Sequence, residues 1–365
     1  MSRKASLPCG LSIVIPTYNE RENIGKLLDK IIETLESKGC RNFEVIIVDD
    51  NSPDETYKIV ETYSRRDPRV RLIVRKTEKG LGTAVKKGIE VAANNYVVVM
   101  DADFQHPPEV IPLLYEKALE GNYDVVVASR YVEGGGIEGW SKTRYLASRI
   151  GCFIARIAVH GARKVRDPMS GFFLVRKNAI DINKLKPKGY KILLEILGRH
   201  KELKTSEVPY TFKSRISGRS KVGISTLTDF VTHLFMLSDS LKFATVGGIG
   251  ALVNLVVMKI VLGLGFGKEV SSIAGIEVSI LSNFLANNFF TFKDRINNAR
   301  HGFLTRLLLY HASSVFSAFT IFTTMMLTTH YIGLHPIEGQ FIGILLGFAS
   351  NYMASSRVIW HERGK

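Results

Sequence analysis

Short apolar, β-branched runs at residues 11–16, 43–49, 70–75, 96–100 and 125–128 alternate with stretches of helical apolar spacing at 23–35, 54–63, 81–92 and 108–119. Continuous apolar runs of this length read as strands buried on both faces. Their alternation with helices predicts βαβ units and a mainly parallel, Rossmann-like α/β sheet with helices on both faces. Ligands of such sheets bind beyond the carboxyl ends of the strands. Those ends here carry Thr17-Tyr18-Asn19-Glu20, Asp49-Asp50-Asn51, Asp101-Ala102-Asp103 and Ser129-Arg130. Polar side chains therefore gather along one predicted edge.

Near residue 242 the pattern becomes membrane-like. Four apolar stretches, at 243–264, 270–290, 307–329 and 337–357, are each close to the ~20 residues that cross a bilayer. They predict an all-α, four-span domain over 242–360, interrupted by Lys259, Glu277 and His311. Lys259 and Glu277 fall at similar depth and are expected to pair, since an isolated charge there is costly. Ser282-Asn283-Phe284 precedes Phe292 by the spacing that separates Ser350-Asn351-Tyr352 from Trp360, which suggests a repeated hairpin. Cationic residues fill the middle loop (Lys293, Arg295, Arg300, Arg306) and the tail (Arg357, Arg363, Lys365), whereas the other two loops hold only Lys268. The positive-inside rule then predicts a multi-pass protein of the cell membrane with a cytoplasmic N-terminal domain. Between the two parts, Leu227, Phe230, Val231, Leu234, Leu237 and Leu241 recur at helical spacing. The pattern fits a core helix, but its position favours an interfacial amphipathic helix at 226–241. The region 11–225 is the expected catalytic domain.

The 365 residues carry a formal net charge of +15, which calls for anionic partners. Because the cations cluster around a Ser/Gly-rich loop at 214–223 and one membrane face, nucleic acid is not the expected partner. Cys9, Cys40 and Cys152 are far apart without metal-ligand spacing, so reduced structural thiols are expected. The first ten residues lack the apolar core of a secretory signal.

Asp101 and Asp103 alternate along an extended chain and can point the same way. Two carboxylates at a strand tip suit a hard divalent cation and a diphosphate, although Asp-x-Asp alone is also an ordinary solvated turn. The context is more specific. Ile15-Pro16-Thr17-Tyr18-Asn19-Glu20, Val48-Asp49-Asp50-Asn51-Ser52-Pro53-Asp54, Lys79-Gly80-Leu81-Gly82-Thr83-Ala84, the 101–107 segment, Ser129-Arg130-Tyr131, Asp167-Pro168-Met169-Ser170-Gly171-Phe172 and the 215–223 segment occur in that order. Together they resemble the inverting nucleotide-sugar glycosyltransferases of family 2, and within them the polyprenol (dolichol) phosphate mannose synthases. The resemblance covers nearly all of 11–225, while the membrane part resembles a GtrA-like domain.

That resemblance implies a GT-A-type fold, GDP-mannose as donor, a polyprenyl (dolichyl) phosphate as acceptor in membrane lipid, and a Mg or Mn ion on Asp101, Asp103 and Gln105. It further implies donor contacts from Pro16, Tyr18, Glu20, Val48, Asp50, Asp101, Ala102, Asp103, Gln105, Arg130, Arg215 and Lys221. Arg130, Arg144 and Ser148 are implied at the acceptor phosphate, with Asp103 and Arg130 central to catalysis. Arg144 and Ser148 share a face if 143–157 is helical. The 214–223 segment is expected to order over a bound substrate. A lipid phosphate is already anionic and needs no strong general base, so His106 is read as structural or donor-adjacent. Direct displacement would give a β-linked product. Three alternatives remain: a UDP-glucose-dependent glucosyltransferase, a lipid-sugar flippase or scaffold with an inactive transferase domain, and a processive synthase. The last is disfavoured, because neither glutamine of the chain, Gln105 or Gln340, begins the Gln-x-x-Arg-Trp pattern of such enzymes.

Overall fold

A computed structural model describes residues 10–187, 189, 191–214 and 224–361. The chain divides into two compact units, Met1–Ser238 and Asp239–Lys365.

In the first unit, β1 (Leu11–Thr17), α1 (Arg21–Ser37), β2 (Phe43–Asp49), α2 (Thr56–Arg66), β3 (Val70–Val74), α3 (Leu81–Val91), β4 (Tyr96–Val99), α4 (Ile111–Gly121) and β5 (Val125–Ser129) follow the predicted alternation. They are followed by β6 (Gly136–Ile137), α5 (Lys142–Ala158), β7 (Phe173–Arg176), α6 (Ile192–Arg199), β8 (Thr205–Pro209), β9 (Thr211–Phe212) and α7 (Ile224–Leu237). The main sheet has the order β3-β2-β1-β4-β7-β5-β8, and β6 pairs with β9. All its pairings are parallel except those of β7, which runs antiparallel to β4 and β5. The ends of β1, β2, β4 and β5 that carry the polar clusters consequently lie on one edge. One apolar cluster packs α1 and α4 against one sheet face; a second packs α3, α5 and α6 against the other. A Cβ on Gly88 of α3 would lie 2.3 Å from Val14 Cγ1 of β1, so this helix sits on the sheet at a distance that only glycine permits.

One expectation needs correction here. Cys40 is disulfide-bonded, whereas Cys152 is a free buried thiol. Helix α7, in the stretch expected at a membrane surface, buries Leu234 and Leu237 in the second apolar cluster of the first unit and leaves Val231 exposed. Its His233 Nε2 lies 2.7 Å from Oε2 of the buried Glu195 on α6.

The second unit contains α8 (Asp239–Gly263), α9 (Lys268–Ala286), α10 (Phe303–Leu327) and α11 (Pro336–Ala354). Three of these, with their terminal turns, are long and apolar enough to cross a membrane. The fourth expected span forms a helix but falls outside that group, because Glu338, Gln340 and Asn351 dilute its apolar residues. Helices α8 and α9 meet at small residues: Ser279 Oγ donates to Gly250 O at 2.8 Å, and Asn283 lies where a Gly250 side chain would be. Ser317 Oγ does the same to Gly347 O between α10 and α11, also at 2.8 Å. Both α9 and α11 end in a π turn, Asn287–Thr291 and Ser355–Ile359, and the residues that follow, Phe292 and Trp360, stack at 4.7 Å. The repeated sequence thus occupies equivalent places in two hairpins. Lys259 and Glu277 do not pair: Glu277 Oε1 lies 3.7 Å from His311 Nε2 on α10. Gly275, Ser279 and Asn283 form the face of α9 that meets α8, and Glu277 points away from it.

Candidate active site

The loops after β1 and β2 are locked together below the site. Asp49 is fully buried and accepts from Thr17 Oγ1 (2.8 Å), Ser52 Oγ (2.6 Å) and Ser52 N (2.8 Å). Asn19 and Asn51 adopt φ of 60° and 54°, which turns the chain sharply off each strand. Asp50, the next residue, is held by Arg75: its Oδ1 accepts from Arg75 Nε at 2.7 Å and from Nη2, and its Oδ2 from Gly80 N at 2.7 Å. This buried pair joins the end of β2 to the loop before α3 and presents Asp50 as a braced acceptor. Lys79 on that loop lies over the ring of Tyr18, which is 38% exposed. Glu20 Oε2 accepts from Asn23 Nδ2 at 2.9 Å. Pro16 and Val48 are register partners, and the Val48 side chain is wholly in the core beneath the edge.

At the end of β4, Asp101 is half-buried, and Ala102, Asp103 and Gln105 are buried. Asp103 Oδ1 accepts from Gln105 N at 3.2 Å, around a Phe104 with φ of 60°. Gln105 Nε2 donates to Lys213 O (3.1 Å) and Lys213 N to Gln105 O (3.2 Å), which ties the chain after β9 to the motif. His106 Nδ1 accepts from Asp101 N at 2.9 Å, and its ring stacks on Phe172. Burial pushes its pKa down to about 4, so it is a neutral hydrogen-bond acceptor at neutral pH and not a counter-charge to Asp101.

The cationic side of the site is built on β5. Arg130 donates from Nε and Nη2 to Asp167 Oδ2 and Oδ1 at 2.7 and 2.8 Å, and its guanidinium lies over the rings of Tyr131, Trp140 and Phe212. Burial opposes its charge, but the two hydrogen bonds to Asp167 outweigh it and Arg130 stays protonated. Lys191 Nζ donates to Met169 O at 3.2 Å. Burial and then the Arg130 charge lower its pKa to about 8. Cys152, beside Asp167, is an inert thiol pushed up to about 12 by burial.

One segment joins the two sides. Four residues beyond Asp167, a Cβ on Gly171 would lie 3.3 Å from Asp101 Oδ2 and 3.1 Å from His106 Cε1. Asp103, Arg130, Asp167 and Lys191 all act electrostatically on His106. Helix α5 adds Arg144, over the Trp140 ring, and Ser148 Oγ, which accepts from Tyr131 Oη at 2.7 Å. The same helix exposes Leu146, Ile150, Phe153, Ile154 and Ile157. A cavity of about 390 Å³ beside it is lined by Ile150, Phe153 and the guanidinium-bearing Arg149, Arg156 and Arg166, among others. Arg215 and Lys221 lie outside the described residues. Arg75, Asp167 and Lys191 are not singled out by the sequence pattern. Asp167 lies inside a matched motif, but its role follows from its partner alone.

Residues 12–182 match the family described as glycosyl transferase family 2, and residues 242–360 match the GtrA/DPMS transmembrane domain. A dolichol-phosphate mannosyltransferase of Pyrococcus furiosus is 39% identical over 357 residues, covering 96% of this chain and 99% of that protein. The dolichol-phosphate mannosyltransferase of Saccharomyces cerevisiae is 35% identical over 235 residues, 61% of this chain and 85% of that protein. A structure of glucosyl-3-phosphoglycerate synthase from Mycobacterium tuberculosis aligns with 63% of this chain and 78% of its own, at 17% identity and a TM-score of 0.47.

Proposed function

Since the chain belongs to the dolichol-phosphate mannosyltransferases, glycosyltransferases of family 2 joined to a GtrA/DPMS transmembrane domain, we propose that it transfers mannose from GDP-mannose to a polyprenyl (dolichyl) phosphate. The observation that carries the reading is the 167–171 segment. It clamps Arg130 at one end and abuts Asp101 at the other, so an acidic and a cationic half would face one substrate.

The chemistry of the donor set at the end of β4 suits a divalent cation: Asp101, Asp103 and the Gln105 amide carbonyl would supply hard oxygen ligands. Two carboxylates and an amide leave positions for diphosphate oxygens, as Mg²⁺ prefers. When bound, the ion would neutralise charge on the departing nucleoside diphosphate. Tyr18, Glu20 and the Arg75-braced Asp50 would hold the nucleoside beside it.

On the other half, Arg130, Arg144 and Ser148 would hold the acceptor phosphate, with Lys191 as a further cation. Asp167 keeps the Arg130 fork in a single orientation. A phosphate oxygen of the lipid forms the new bond to the sugar C1 as the bond from C1 to the diphosphate oxygen breaks, and GDP leaves with that electron pair. No proton must be removed, which suits a site where the His106 imidazole is neutral and already accepts from Asp101 N. Catalysis is then positioning and charge stabilisation. Attack opposite the leaving group yields the β-linked product. The exposed apolar face of α5 would lie against the membrane from which the lipid enters, on the cytoplasmic side.

Labelled GDP-mannose and a short polyprenyl phosphate, with and without Mn²⁺ or Mg²⁺, test the reading. Metal-dependent formation of the β-linked lipid is expected, falling about 10²–10³-fold in Asp103→Ala. Transfer from UDP-glucose alone would move the proposal to the glucosyltransferase. Silence with every donor would favour a lipid-sugar flippase or scaffold.

A further inference from the structure

We propose that the second unit holds a phosphate-binding site at the first turn of α10, with Arg306 as its principal ligand. Arg306 is 4% exposed. Its side chain has no hydrogen-bond or ion-pair partner among the described residues, and its Nε is a buried donor without an acceptor. A buried donor without an acceptor costs stability, and an anion at the guanidinium supplies the missing acceptor.

Its position supports this. Arg306 shares a helix face with Phe303 and Tyr310, whose rings lie 5.2 and 5.9 Å from that of Phe284. Helical side chains lean towards the N-terminus, which carries the guanidinium back over the first turn. There Gly302 is the N-cap, no side chain caps the turn and no acidic residue stands in it, so uncapped N–H groups and the positive end of the helix dipole face the same place. A second orphan donor lies on a segment that packs against α10. Ser355 is fully buried with its Oγ unpartnered, in the turn whose following residue, Trp360, contacts Tyr310. Arg295 is neutralised by Asp239, but Lys293, Arg300 and Arg357 are exposed at the same end of the bundle and leave it electropositive. A phosphate group, with acceptor oxygens only, matches the Arg306 guanidinium and the uncapped N–H groups of the first turn. It can belong to an anionic lipid headgroup or to a free anion. The site rests on the second unit alone and is independent of the transferase reading.

The test uses the purified full-length protein in neutral detergent. Thermal unfolding is followed with phosphatidylglycerol, phosphatidylcholine or sodium phosphate added. Phosphatidylglycerol should stabilise the wild type by several degrees more than phosphatidylcholine. Arg306→Lys should keep most of that difference and Arg306→Gln should abolish it. Inorganic phosphate acting alone with the same dependence on Arg306 would support the site with a free anion as occupant. Equal shifts in wild type and Arg306→Gln would overturn it. Native mass spectrometry of the wild type needs no variant to fold: retention of one phosphatidylglycerol or phosphate supports the site, and retention of neither overturns it.

Discussion

At the scale of single residues, the site depends on which charges are braced. Arg130 and Asp167 form a buried two-bond pair. Asp167→Asn would remove the carboxylate and leave a buried guanidinium uncompensated. We expect a loss of about 3–5 kcal/mol, read from denaturant unfolding. Lys191 gives a pH signature. It is charged below about 8 and neutral above it, so its hold on phosphate is complete below that pH and disappears as pH rises. KM for the anionic substrates should therefore climb above pH 8 in the wild type, while Lys191→Met should bind weakly throughout and lose that limb. Stability moves the other way. Between about 8 and 10.5 the unfolded chain holds the Lys191 proton that the folded chain has released, so folding gains from rising pH in this window. Opposite slopes separate the two effects, and an alkaline limb that survives in Lys191→Met would remove this residue from the binding site.

At the scale of elements, the predicted strands and helices of the first unit form close to where the periodicity placed them, because each buries a continuous or helically spaced apolar run. The antiparallel β7 was not legible. Its Phe173-Leu174-Val175 reads as any apolar run, and its direction is set by the route the chain takes from α5. Packing of elements is equally non-local. Gly88 is ordinary in the sequence, yet α3 rests on Val14 there. Gly88→Ala should cost about 1–3 kcal/mol by overpacking, measured as a lowered urea midpoint with unchanged slope. In the second unit the apolar pattern located four helices, but the pairing it suggested between Lys259 and Glu277 failed on helix face: equal depth does not mean a shared side.

At the scale of the whole molecule, two units with separate apolar clusters should unfold in two steps. Calorimetry of the detergent-solubilised protein should show two transitions, of which Asp167→Asn lowers only one. A single cooperative transition that shifts as a whole would mean the units are energetically one. Local order along the chain was enough to determine the alternating α/β elements, the polar edge with Asp50, Asp101, Asp103 and Arg130, and the change to membrane-like helices, since burial periodicity and strand-end polarity are properties of neighbouring residues. Tertiary structure alone decided the partners: Arg75 for Asp50, Asp167 for Arg130, Gly171 against Asp101, His233 for Glu195, and a disulfide for Cys40. Each joins residues whose separation along the chain carries no information about distance, because the strand order β3-β2-β1-β4-β7-β5-β8 determines which of them become neighbours.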